Sequence, residues 1–129
     1  MKIKHLTLDE VIAIHDDMVD SYGGSHGIRD LGLLQSAIAR PQSAFGGQDL
    51  YPSIFDKAAA LFHSLMFNHA FVDANKRTTI TSTARFLALN GCELQSTDRE
   101  LVDFPLNVEN NHLSLEEISA WLKKHSKKV

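Results

Sequence analysis

The chain has 129 residues, 43% of them hydrophobic and 22% charged, with a formal net charge of -3. This is the size of one ordinary domain with a core able to fold alone, and the composition is neither disordered nor membranous. A negative balance excludes a surface built to neutralise many phosphates, so no direct nucleic-acid partner is expected, although one local basic pocket is allowed.

Cys92 is the single cysteine, so no intrachain disulfide is expected. The opening MKIKHLTLDE has no apolar run after its lysines and does not resemble a signal peptide. No apolar run approaches the eighteen or so residues of a spanning helix, which predicts no membrane partner and a cytoplasmic location. Repeats, low-complexity blocks and long linkers are absent from the pattern, and residues 1–129 read as one domain.

In chain order, Thr7-Leu8-Asp9-Glu10 has capping-box spacing and opens the first helix. Leu8, Val11, Ile12, His15, Met18, Val19 and Tyr22 recur at helical intervals until Gly23-Gly24 stops it. Asp30 caps a second helix whose apolar side is Leu33, Leu34, Ala37 and Ile38, and Pro41 is expected to end it by disfavouring the helical conformation at Arg40. Residues 41–53, PQSAFGGQDLYPS, are the least periodic segment and predict a loop or flap.

Ser53 opens a third helix running to about Asn68, apolar on most sides, which marks it as the buried centre of the domain. A fourth begins near Asn75 or Lys76 and runs to Asn90-Gly91, with Ile80, Ala84, Phe86 and Leu87 among its apolar positions. Cys92 to Gln95 predicts a short extended link. Two more helices start at Thr97 and at Ser114, the second with a capping box to Glu117, and Pro105 should bend or shorten the first of them. Ile118, Trp121 and Leu122 pin the last helix, while Lys123, Lys124, Lys127 and Lys128 suit its C-terminal dipole or a solvated tail. The fold class is therefore all-α: about six helices around a central buried one.

The segment His69 to Thr78, HAFVDANKRT, joins the buried helix to the next. A helix N-terminus offers unpaired N–H groups and a positive dipole end, which favour an anion. Lys76 and Arg77 add cations where the dipole opposes them unless an anion sits among them. Asp73 is a hard oxygen ligand of the kind Mg²⁺ takes beside phosphate oxygens. His69 supplies an imidazole, whose ordinary pKa suits a general base acting on a hydroxyl. Together they form a phosphoryl- or nucleotidyl-transfer set.

The same spacing also fits an unexceptional turn, with Asp73 as N-cap, Lys76 and Arg77 solvated, and His69 at a helix C-terminus. Pattern alone leaves both open. The chain has no P-loop and no G-x-G-x-x-G run, and its other histidines lack metal-ligand spacing; His15 and His63 read as packing at the edges of apolar faces.

The residues from His69 to Arg77 resemble the H-x-F-x-(D/N)-(A/G)-N-K-R motif of the Doc (death-on-curing) proteins within the Fic superfamily. Tyr22-Gly23-Gly24, Gly27-Ile28-Arg29-Asp30 and Ala39-Arg40-Pro41-Gln42 resemble Doc-type sequences too, so the likeness covers nearly the whole chain. It implies a Fic-like helical fold and the toxin of a type II toxin–antitoxin module. The implied activity is a protein kinase that moves the γ-phosphate of ATP, with Mg²⁺, to a protein hydroxyl. The implied target is elongation factor Tu, with inhibition of translation as the outcome. By the same resemblance His69 is the base, Asp73 the metal ligand, and Ala74, Asn75, Lys76 and Arg77 the phosphate-binding set.

Fic adenylyltransferases are similar but carry Gly-Asn-Gly-Arg where this chain has Ala74-Asn75-Lys76-Arg77. The lysine places a long cationic side chain where outer phosphates would lie, which favours a reversed nucleotide and a kinase. AMP transfer is the alternative, and a non-catalytic module that binds an antitoxin or another partner is the third possibility. Phe67 and Thr81 depart from the basic residue and the polar amide that some members carry at those places. An internal inhibitory helix of the (S/T)-x-x-x-E-(G/N) type is not found, so restraint is expected from a separately encoded antitoxin.

Overall fold

A computed structural model describes residues 2–129. In chain order it has α1 (Leu8–Tyr22), α2 (Leu31–Ala39), β1 (Ala44–Phe45), β2 (Gln48–Asp49), α3 (Ile54–Asn68), α4 (Asn75–Leu89), β3 (Cys92–Leu94), α5 (Asp98–Asn111), α6 (Leu115–Lys124) and β4 (Ser126–Lys128). The all-α class is correct: the described residues form six α-helices and one 3-10 turn, with only two small strand pairs beside them. None of these helices is long and apolar enough to cross a membrane.

Local chemistry sets most helix starts. Thr7 accepts from the Glu10 N–H while the Glu10 carboxylate accepts from the Thr7 N–H, and Thr97 with Glu100 and Ser114 with Glu117 repeat this reciprocal pair. Asp30 and Ser53 cap α2 and α3 through single side-chain bonds. Only α4, of the six, starts without a side-chain cap.

α3 is the central helix, packed against α2, α4, α5 and α6. Ala58, Ala59 and Ala60 are fully buried in sequence, and small side chains at three consecutive positions let neighbours approach on several sides. Phe62 fills the space beyond them, fully buried, with its ring 5.3 Å from that of Phe104. Truncating such a buried ring to alanine typically costs about 3–5 kcal/mol, so this contact is a principal tie between α3 and α5.

Three local expectations are corrected. Pro41 does not throw Arg40 out of helical space: Arg40 stays at φ -53, ψ -41, and the chain tightens into a 3-10 turn over Arg40–Gln42. Proline fits the first turn of a helical segment because its missing N–H is not needed there. Pro105 lies inside an unshortened α5, where it is buried with Phe104 and Val108; packing outweighs the local preference. The C-terminal lysines divide: Lys123 and Lys124 end α6, but Lys127 and Lys128 belong to β4, which pairs antiparallel with β3 and sets Lys127 opposite Glu93.

The predicted loop or flap over residues 41–53 carries a short two-stranded hairpin. Ala44 pairs with Asp49 and Phe45 with Gln48 across Gly46-Gly47, whose φ values of 59 and 77 suit a tight hairpin turn. Its root is tied to the core by two cations. The buried Lys57 ammonium donates to the Tyr51 carbonyl at 2.6 Å, Asp49 Oδ2 at 3.1 Å and the Pro41 carbonyl at 3.5 Å. Arg40 donates to Tyr51 Oη, Ser64 Oγ and His63 Nδ1. His63 therefore accepts a bond under the flap, and burial, followed by the Arg40 charge, lowers its pKa.

Candidate active site at the start of α4

The loop between α3 and α4 is held from three directions. α3 stops because His69 turns into the left-handed region at φ 46, ψ 51, which leaves the last α3 carbonyls without helical donors. Arg29 supplies them: Nε donates to the His69 carbonyl at 2.7 Å and Nη2 to the Asn68 carbonyl at 3.0 Å. The turn around Arg29 runs beside the loop, with the N–H groups of Arg29 and Asp30 on the Ala70 carbonyl and the Val72 N–H on the Gly27 carbonyl.

From α1 comes His15, almost wholly buried. Its ring lies flat on Phe71, with centroids 3.8 Å apart, and its Nε2 donates to the Asp73 carbonyl at 2.8 Å. From α4 comes Asn75, whose amide oxygen accepts from the Phe71 N–H while its nitrogen donates to the Phe71 carbonyl. The Asn75 side chain is thus used in closing the loop, and it is the backbone N–H of Asn75 that stands among the free donors of α4.

These bonds hold Ala74 at φ 60, ψ 27, a left-handed conformation that costs on the order of 1–3 kcal/mol for a residue with a Cβ. Ala74 is the N-cap position, and it offers no side chain to the helix it begins. Asp73 is not the cap. Its Oδ1 accepts from the Ala74 N–H at 2.8 Å and its Oδ2 from the Ser25 N–H at 3.1 Å. Those two backbone donors, with a smaller contribution from the Arg77 charge, hold the Asp73 carboxyl below the ordinary carboxylate range. Gly24 makes the approach feasible: a Cβ there would sit 2.7 Å from Asp73 Oδ2, at a φ of +115 that L side chains avoid.

All six sequence-predicted residues, His69, Asp73, Ala74, Asn75, Lys76 and Arg77, line one open cavity of about 270 Å³ together with Val72. At its floor the N–H groups of Asn75, Lys76 and Arg77 occupy the first three helical positions of α4, where no intrahelical acceptor exists. Both cations that line the cavity also have partners on neighbouring elements. Lys76 Nζ is 3.3 Å from Glu109 Oε1 on α5, and Arg77 reaches the Gly23 carbonyl at 3.4 Å with its guanidinium 5.6 Å from the centre of the Tyr22 ring. His69 is exposed at the rim. The arrangement offers an anion several donors, a cation the Asp73 carboxylate, and a reacting group the accessible imidazole of His69.

Sequence reasoning passed over four residues of this site. His15 packs on apolar surface as expected, its ring on Phe71, but it also donates to the motif loop; its place between Val11 and Val19 on the buried stripe of α1 was the available signal, since a buried polar ring needs a partner. Arg29, Ser25 and Glu109 left no local signal, because each acts on a residue far along the chain.

Fold and site together define a helical protein with a histidine-bearing loop at an uncapped helix N-terminus. A sequence profile of the Fic/DOC family matches residues 5–87, and the chain belongs to that family. It is 51% identical over 74 residues to "Toxin Doc" of Mycolicibacterium smegmatis, a match that spans 57% of each chain. To "Protein kinase doc" of Escherichia phage P1 it is 29% identical over 122 residues, 95% of each chain.

Proposed function

We propose that this chain is a Doc-type toxin: an ATP-dependent protein-modifying transferase that phosphorylates a protein hydroxyl and is restrained by a separately encoded antitoxin. The observation that carries this is the start of α4, the one of the six described α-helices without a side-chain cap, which opens into the cavity shared by His69, Asp73, Lys76 and Arg77. Free N–H groups at a helix N-terminus favour phosphate oxygens, and among the described residues no side chain caps these. A cavity of about 270 Å³ is suited to a chain of phosphates, with the nucleoside outside it.

In this reading the target hydroxyl gives its proton to His69 as its oxygen bonds to phosphorus, and the bridging P–O bond breaks to release ADP. Asp73, ionised and exposed, would hold Mg²⁺, which would supply charge neutralisation on the phosphates. No cluster of three or more potential metal ligands occurs among the described residues, which fits an ion bound mainly by phosphate and water. The hairpin β1–β2, with Phe45 and Gln48 exposed, is an edge along which an extended target segment can add backbone hydrogen bonds. For the antitoxin, a hollow of about 720 Å³ between α1, α4 and α5, lined by Met18, Tyr22, Ile80, Leu101 and Val102 among others, offers apolar surface to an amphipathic segment.

AMP transfer is the second reading, favoured by one observation: the Lys76 ammonium is paired with Glu109, so it is not committed to a phosphate. Labelled ATP separates the two. With Mg²⁺ and elongation factor Tu as candidate target, label should pass from γ-labelled ATP and not from α-labelled ATP, and His69→Ala should abolish transfer. Transfer from the α-labelled nucleotide would instead establish adenylylation, and undiminished transfer by His69→Ala would refute the assigned base.

A further inference from the structure

Building on the nucleotide reading above, we propose that Glu109 is a built-in competitor for the phosphate, and that through Lys76 it sets how much anionic charge the site demands of its ligand. Glu109 comes from α5, a different helix from the loop that carries the motif, and its Oε1 lies 3.3 Å from Lys76 Nζ. Both side chains are partly exposed, at 41% for Lys76 and 30% for Glu109, so the pair is able to open when something better arrives.

The placement gives the contact its consequence. Lys76 occupies the second helical position of α4, where the helix dipole opposes a cation. An anion on the N–H groups of α4 would relieve that opposition. The Glu109 carboxylate, 3.3 Å from Lys76 Nζ, supplies the same relief from within the protein and engages the lysine. A ligand must therefore either displace the Glu109 carboxylate from Lys76 or bind without the lysine while feeling the repulsion of a nearby negative charge. Orthophosphate has little charge and few oxygens with which to do this. A tripolyphosphate chain can cover the N–H groups and engage Lys76 together. Glu109 thus biases the site toward polyphosphates, and it acts as a positioning residue on Lys76, touching no reacting atom.

Removing the carboxylate at constant shape tests this. By calorimetry with inorganic tripolyphosphate at low ionic strength, Glu109→Gln should bind about threefold to tenfold more tightly than the unaltered chain, and the gain should shrink as salt is added. Orthophosphate should gain by a larger factor than tripolyphosphate, which narrows the preference for the longer anion; an equal or smaller gain would overturn the claim of selectivity. In a Lys76→Met background the Glu109→Gln gain should be smaller than in the unaltered chain, since only the direct repulsion of the anion is then relieved, and Glu109→Asp should lie between glutamine and glutamate. In ATP turnover the KM should fall with little change in kcat, whereas a merely structural role would lower kcat and the thermal midpoint together. If the unaltered chain binds tripolyphosphate but Glu109→Gln binds it equally or less well, the proposal is overturned while the nucleotide site stands. If no variant binds tripolyphosphate or ATP, the phosphate site and this role for Glu109 fall together.

Discussion

His15 Nε2 donates to the main-chain carbonyl of Asp73 at 2.8 Å while the same ring stacks on Phe71, so one buried side chain of α1 fixes both the anchor and the chemical end of the motif loop. The carbonyl can only accept, which assigns the proton to Nε2. His15→Phe should keep the stack and delete the bond, leaving the Asp73 carbonyl short of a partner. The expected loss is about 1–2 kcal/mol, read from the urea midpoint at unchanged m-value. ATP turnover should fall further than stability predicts, since the same bond orients the turn at Asp73 and Ala74.

Arg29 makes a comparable test at the other end of the loop. Its fork spans the Asn68 and His69 carbonyls and so stabilises the left-handed turn that sets the direction of the His69 ring. Lysine keeps the charge and loses the fork. If His69 is the base as proposed, Arg29→Lys should lower kcat by about tenfold to a hundredfold, with ATP KM nearly unchanged, because the displaced group is then the proposed base and not the proposed phosphate site. A loss confined to KM would assign Arg29 to nucleotide binding instead.

These two contacts mark where the sequence was legible and where it was not. Capping pairs such as Thr7 with Glu10 sit three residues apart, so a pattern on the chain reports them directly. The motif residues from His69 to Arg77 are contiguous, and their cavity follows from one loop and one helix start. The residues that aim them come from elsewhere: His15 lies 58 positions from Asp73 and Arg29 lies 40 from His69. No local periodicity encodes such pairs. Where tertiary packing overrode a local rule, as at Pro105 in α5 or at Lys127 and Lys128 in β4, local reasoning erred for the same cause.

Lys57 tests the anchoring of the flap. Its buried ammonium holds the carbonyls of Pro41 and Tyr51 and the carboxylate of Asp49, joining both ends of the hairpin to α3. Lys57→Met keeps the apolar stem and removes every one of these donors. The local cost is about 1–3 kcal/mol, so the Leu50 amide, which bonds the Ser43 carbonyl across the hairpin root, should exchange with solvent about tenfold or more faster. Amides in the centre of α3 should be affected much less.

His26 gives a pH effect with a definite sign. Its ring nitrogens meet Asp16 at 3.0 Å and Asp20 at 2.8 Å, and these hydrogen bonds, Asp16 foremost, raise its pKa above 6.5. A raised folded-state value means a stabilising contribution that is complete below the unfolded value and lost as pH rises through the folded one. Because the group is fully exposed the effect on stability is small, and the direct measurement is its NMR titration. Asp16→Asn should bring the midpoint down more than Asp20→Asn does.

Asp73 has the opposite sign. Backbone donors at Ala74 and Ser25 depress its pKa below the ordinary 3.8, so its contribution is complete above that value and is lost as pH falls through the folded one. Asp73→Asn removes the titration while keeping an oxygen that can accept one of the two N–H bonds. On acidification the unaltered chain should lose stability over this window, and the variant should show a flatter limb, so that the two converge at the acid end. The variant should also lose the Mg²⁺ dependence of ATP binding at neutral pH, where its stability deficit is modest. Acid limbs that run parallel would mean that the carboxylate is not held by these donors in solution. Retained Mg²⁺ dependence in the variant would assign the ion to another group.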